Sequence, residues 1–303
     1  MKKLSILPFL VISLVFQGCK KDQKSDSDNI EAYLQSLGPA PQQFTFQTTL
    51  GSTLVGEKGT RLVLTPNTFL FKDDQSQASG TVQVDLIELS DKADVMMWNK
   101  PTRSDNNLLV SGGVAYVYMS QNGREVISTD SRIQFVSEDN TNDMQAFGWN
   151  ENEQSWYLYE DSLFNPIPEG DNIVMYNFPL PSNYNWINCD FFYNYNGSNF
   201  TSITVDVTDS HPENEIPIST AVYLVFTNQF SVIRMPPDQG KDRFKQNFIP
   251  PGLPYRLVAV SVKDYKIKAA ASGNLITNSN LEVYNLKPKA TTQKAMIELL
   301  ESM

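Results

Sequence analysis

The chain has one histidine and two cysteines in 303 residues. That is too few for the clustered Cys and His ligands of a zinc centre or for a set of Cys–His catalytic pairs. It also lacks the Gly-x-Ser-x-Gly nucleophile elbow, the phosphate-binding Lys loop and the dinucleotide fingerprint. Long apolar runs are missing too. The longest, Leu4 to Phe16, is thirteen residues broken by Ser5, Pro8 and Ser13, whereas a helix crossing a bilayer core of about 30 Å needs roughly twenty. Positive charge is scarce and unevenly placed. Between Ile133 and Ile233 there is no Lys or Arg, against fourteen acids, and from Arg234 onward eleven bases against six acids leave +5. With a net charge of −10, binding to nucleic acid by counterion release is excluded.

What is present marks a globular chain. Hydrophobic residues make up 41%, with 17 Phe and 13 Tyr, which excludes intrinsic disorder and fibrous repeats. Ile30 to Leu37 reads as a short helix capped by Asp28 or Asn29 and ended by Gly38-Pro39. Beyond Pro41 the pattern turns to strands. Asn122-Gly123, between Gly113–Gln121 and Arg124–Ile127, supplies the two positive φ angles of a type I′ hairpin. A second hairpin is expected across Met144–Trp149 and Ser155–Tyr159. Further strands follow at Thr201–Val207, Ala221–Phe226, Tyr255–Val262 and Leu281–Leu286, and a helix from Thr292 would place Met296, Leu299, Leu300 and Met303 on one stripe. The expected fold is mainly β, with two β-sandwich-like domains, a short N-terminal helix and a C-terminal helix. Pro179-Leu180-Pro181-Ser182-Asn183 is read as the boundary, giving an N-terminal β domain over 30–180 and a C-terminal sandwich with the terminal helix over 183–303.

Lys2 and Lys3 before the apolar run, with Gly18-Cys19 after it, resemble the signal peptide and lipobox of bacterial lipoproteins. The resemblance implies a signal over 1–18 and lipid attachment (palmitate among the acyl chains) at Cys19; an ordinary secretory signal is the alternative. Residues 19–29 form a charged tether, Lys20-Lys21-Asp22-Gln23-Lys24-Ser25-Asp26-Ser27-Asp28 without an apolar residue. An Asp-bearing stretch directly after such a cysteine resembles the export signal of Bacteroidota surface lipoproteins. That resemblance implies an outer-membrane, lipid-anchored, surface-exposed protein, with a periplasm-facing lipoprotein as the alternative. The segment Gly51 to Leu89, Lys100-Pro101-Thr102-Arg103-Ser104 with Gly112-Gly113, and Trp186 to Phe191 look like the same group of lipoproteins. The group implies location and β-sandwich fold and carries no activity.

Candidate chemistry is sparse. Asp139-Asn140-Thr141-Asn142-Asp143 alternates oxygen donors, but Met144 stands where a helix-loop-helix calcium loop needs Gly and Asn150 where it needs Glu. Asp209-Ser210-His211-Pro212 places triad residue types side by side, where neighbours in sequence point apart. Asp161-Ser162-Leu163 matches a short O-glycosylation pattern. With Cys19 acylated, Cys189 has no disulfide partner and reads as a small buried hydrophobe. Tyr184, Trp186, Phe192 and Tyr195, among Asn and Asp, form a candidate ligand platform for glycan; core packing is the competing reading. No catalytic residue, metal ligand or cofactor is assigned. The expectation is a non-enzymatic accessory or binding subunit of an outer-membrane barrel protein or complex, held to the membrane by its anchor. A glycan-binding surface protein is the second reading and a hydrolase the third. The acidic 133–233 stretch would face a cationic partner or calcium, or close against the basic end.

Overall fold

The structure, a computed structural model, describes residues 29–137, 143–160, 166–170, 173–197, 199–208, 219–238, 242–263, 266–278 and 281–303. The chain is mainly β, as expected, and its strands form four sheets. The first sheet has nine strands, in the order Gln42–Gln47, Thr81–Leu89, Asn107–Gln121, Trp186–Phe192, Gln145–Asn150 and Ser155–Glu160, with three short strands attached. The second has five: Ile167–Gly170, Ile173–Pro179, Arg132–Ser137, Arg61–Leu64 and Ser52–Val55. Both expected hairpins form. Gln121 registers with Arg124 around Asn122 and Gly123, whose φ angles are 52° and 78°, and Asn150 registers with Ser155.

The later part of the chain builds two smaller sheets. Arg243–Ile249, Thr201–Val207 and Glu282–Leu286 make one. Val232–Arg234, Ser219–Phe226, Pro254–Lys263, Lys266–Ala271 and Lys289–Thr291 make the other, with Leu275–Ile276 on its margin. Each pair of sheets encloses its own core. Leu62, Phe135 and Tyr176 meet Val84, Val117 and Ile187 in the first sandwich, and Ile203, Val205 and Phe244 meet Leu224, Phe226 and Leu257 in the second.

A third core joins the two. Helix α1 (Ile30–Gln35), α2 (Lys92–Met97) and α3 (Gln293–Glu301) lie with it between the sandwiches. Ile87, Phe147, Trp149 and Trp186 come from one side, and Tyr223, Val225, Val258 and Val260 from the other. The central sheets are therefore covered on both faces, which accounts for the unbroken apolar runs at 221–226 and 257–260. A strand with one wet face would alternate. Odd and even positions serve different cores, Tyr223 and Val225 the junction, Leu224 and Phe226 the sandwich interior.

Three expectations change. The boundary at 179–183 is corrected: Trp186–Phe192 is hydrogen-bonded between Asn107–Gln121 and Gln145–Asn150 in the first sheet. The prolines end a strand rather than a domain, and the chain crosses over between Phe192 and Thr201. Helix α1, assigned to the first domain, docks on the second sandwich, where Ile30 N donates to Ser219 Oγ at 3.0 Å. The C-terminal helix is capped by Thr292, but its buried stripe is Met296 and Leu300 with Ile297 and Met303 against the junction. Among the described residues no helix is long and apolar enough to cross a membrane.

Candidate functional site

A cleft of about 1060 Å³ opens along the junction, walled by both sandwiches and by α1. Its first wall carries Trp98, Lys100, Arg103, Trp149, Glu151 and Trp186, and its second carries Ile233, Arg234, Pro236, Pro237 and Phe244. Lys100 explains much of the first wall. Its ammonium lies 4.5 Å from the Trp149 ring centre and 5.1 Å from that of Trp186, and 3.2 Å from Glu151 Oε1. Burial pulls its pKa down, and the Glu151 carboxylate opposes that shift. Glu151 also accepts from Trp149 Nε1 at 3.0 Å, so a buried cation is held by two rings and one carboxylate.

Other charges in the cleft are also committed to neighbours. Arg234 pairs with Glu31 of α1, and Glu153 accepts from the Tyr157 hydroxyl. Arg103 donates to Gln246 Oε1 at 2.9 Å, across the junction, and to Asn106 Oδ1 at 2.8 Å. The junction is further bound by Tyr223 to Met96 O, Thr102 N to Val232 O and Ser231 Oγ to Leu109 O. With an apolar core beneath it, the cleft is preformed rather than hinged.

The four platform residues do not share a surface. Trp186 is buried, its ring packed against Trp98 at 5.2 Å, Tyr116 at 5.1 Å and the Lys100 ammonium. Tyr184 covers Gly148, where a Cβ would stand 2.2 Å from the ring, and lies 6.0 Å from Tyr159. Phe192 sits edge-on to Phe147 at 5.4 Å. Tyr195 meets Phe200 at 5.1 Å near the second sandwich. A register shift between Asn188 and Asp190 and the crossing after Phe192 send these rings apart. Cys189 is buried in the first core, as read from its neighbours. Cys19, Asp139 to Asn142, Ser162 and His211 lie outside the described residues.

Two features escaped the sequence reading. Asp190 is fully buried beside Asn188 and Ser111, and burial raises its pKa well above the usual carboxylate range, against the pull of those two hydrogen-bonding partners. The second is Phe248, which joins Phe200 and the platform candidate Tyr195 in a ridge. Phe200 and Phe248 are 45% and 49% exposed with ring centres 6.2 Å apart. Phe248 has φ +60°, in the left-handed region where bulky side chains are rare. The reason is a bulge: Thr201 registers with Ile249 but Ile203 with Gln246. The signal that could have pointed there is an absence of charge over residues 191–205 and 246–255.

No family model matches the chain, and no curated protein matches it. Among solved structures it is similar to the Bacillus anthracis TIE protein, at 9% identity and a TM-score of 0.22 over 84% of this chain. It spans only 38% of that protein. It is also similar to the major pilin of Streptococcus pyogenes, at 13% identity and a TM-score of 0.20, over 83% of this chain and 93% of the pilin. Likenesses of this size carry no functional argument.

Proposed function

We propose that the protein is a lipid-anchored outer-membrane protein, exposed at the cell surface, that acts without catalysis as a binding subunit of an outer-membrane complex. The observation that carries this reading is the preformed cleft. Both sandwiches wall it, a buried junction fixes their separation, and Asn29, Glu31 and Gln35 bring the start of the body to its edge. A tether over residues 19–29 would thus hold the cleft within reach of a membrane-embedded partner. The lining mixes indole edges, three prolines and both signs of charge, which suits a peptide segment of a partner protein. Arg243 of the basic end grips Asp206 of the acidic stretch at 2.6 and 2.9 Å, as cross-strand neighbours within one sheet of the second sandwich.

Affinity purification of the intact protein from mild membrane extracts tests this. A co-purifying outer-membrane protein is expected, and it should be lost when Glu153→Arg and Pro237→Arg fill the cleft. Recovery of the wild-type protein alone would overturn the reading. Cys19→Ser should move the protein from the membrane to the soluble fraction, and protease shaving of whole cells should remove the wild type. A second reading, glycan binding, is favoured by the exposed rings of Phe200 and Phe248 beside the half-buried Tyr195.

A further inference from the structure

One end of the second sandwich is made of segments without charge. Residues 191–205, 246–255 and 269–281 contain no Asp, Glu, Lys, Arg or His, in a chain of which 19% is charged. The fold brings them together. Thr201 registers with Ile249 and Pro254 with Ile276. The Thr277 hydroxyl donates to Pro250 O at 2.8 Å and accepts from Leu253 N at 2.8 Å. On this end stand the rings of Tyr195, Phe200 and Phe248 and the exposed amides Asn199, Asn247 and Asn278. Asn247 accepts from Ser202 Oγ at 2.8 Å through its carbonyl oxygen. That bond fixes the side chain and leaves its amide hydrogens directed elsewhere.

The rings are set nearly perpendicular, 66° between Tyr195 and Phe200 and 72° between Phe200 and Phe248. Phe200 and Phe248 therefore cannot hide their faces by stacking on each other. Phe248 keeps its place only by adopting a backbone conformation disfavoured for a bulky side chain. Asn or Gly at this position would remove that strain, so the ring is retained at a cost to folding. Strained backbone that also exposes an apolar ring points to a ligand.

The chemistry of that ligand follows from the surroundings. A phosphate-bearing lipid surface calls for Lys or Arg around the rings, and a charged polymer calls for the opposite charge; these segments offer neither. Exposed rings combined with a fixed neutral amide at Asn247 match a molecule having apolar C–H faces and uncharged hydroxyl groups. We propose that this end of the second sandwich binds an uncharged saccharide, with Phe200 and Phe248 as the stacking surface and Asn247 as the orienting amide. The site also lies at the far end of the central sheet from the chain's entry. Ile30 docks at Ser219, whereas Phe226, seven residues along the same strand and about 23 Å away, registers with Tyr255 beside Pro254. The ridge thus lies at the opposite end of that sheet from Ile30. This inference rests on the glycan reading and is independent of docking in the cleft.

Affinity electrophoresis of the detergent-extracted full-length protein through gels holding a neutral glucan, a neutral mannan or acidic polygalacturonate tests it. Retardation by a neutral polysaccharide, equal at low and high salt, is expected, with about tenfold weaker binding in Phe200→Ala and in Phe248→Asn. Phe248→Asn keeps the left-handed backbone accessible, so a cooperative thermal transition no lower than wild type separates lost binding from lost folding. Retardation of wild type that survives in both variants overturns the site and leaves glycan binding standing. No retardation by any neutral polysaccharide, or retardation only by polygalacturonate, overturns the proposal. Loss of a co-purifying protein in these two variants, with polysaccharide binding unchanged, assigns the ridge to protein docking and overturns it as well.

Discussion

Tyr223 donates its hydroxyl to the carbonyl oxygen of Met96 at 3.0 Å, across the plane where the two sandwiches meet. Tyr223 is buried, and burial pushes its pKa up to about 12. The bond lies inside the junction core, which is as apolar as either sandwich interior.

Continuity of that core predicts that the two sandwiches unfold together. All four tryptophans, Trp98, Trp149, Trp156 and Trp186, pack in the junction core, so their fluorescence reports on the junction, whereas calorimetry reports on the whole. The two transitions should coincide. Tyr223→Phe should lower stability by about 1 kcal/mol without separating them, because the Met96 carbonyl keeps its bond from Asn99 N. Two resolved transitions in the wild type would show independent domains.

Trp186 packs against Trp98, Tyr116 and the Lys100 ammonium, so it belongs to the core rather than to a ligand platform. Trp186→Ala should cost about 3–5 kcal/mol and lower the urea midpoint sharply. A variant of unchanged stability that lost only ligand binding would restore the platform reading.

Phe248 at φ +60° exposes half its surface, so its replacement forfeits little burial. Phe248→Asn should leave stability unchanged or raise it by about 1 kcal/mol. Chemical denaturation measures this directly, and a clear loss of stability would mean that the ring is held by packing.

Asp190 is buried with its pKa raised far above the usual carboxylate value of about 3.9. The folded state therefore holds this proton more tightly than the unfolded state. The resulting stability is fully present below about pH 4 and is lost as pH rises toward the folded pKa. Asp94, raised to about 6 first by burial and then by the Asp91 charge, acts in the same direction between about pH 4 and 6. Asp190→Asn, which keeps a side chain of the same shape, should be the more stable protein at pH 8 and lose that advantage toward pH 4. A difference between the two that does not vary with pH would mean that Asp190 does not titrate differently on folding.

Salt tests the cross-strand pairing of the basic end with the acidic stretch inside the second sandwich. Arg243→Gln removes the bidentate contact to Asp206, an exposed pair that contributes little to stability. The difference from wild type should shrink at high salt as screening weakens the pair.

Local patterns were sufficient to read much of this molecule. Asn122-Gly123 dictated a hairpin because only residues tolerant of positive φ fit a type I′ turn, and Thr292 capped α3 because its hydroxyl reaches Ala295 N. Cys189 announced a core position through apolar neighbours at strand spacing. Helix α2 went unread, its six residues too short for a periodic stripe and its cap, Asp91, one polar residue among several.

The outcome that sequence could not decide concerns faces. The unbroken apolar runs at 221–226 and 257–260 state that both sides of those strands are buried, but not by what; only the packed structure shows a sandwich core on one side and the junction on the other. Strand Trp186–Phe192 went to the first sheet despite the prolines before it, since the hydrogen-bonding edges of its neighbours lay there. Sequence alone determined that the chain is globular and β-rich, because composition and alternation are local properties. Tertiary structure decided which rings are core and which are exposed, because the bulge at Phe248 and the crossing between sandwiches depend on contacts far apart in the chain.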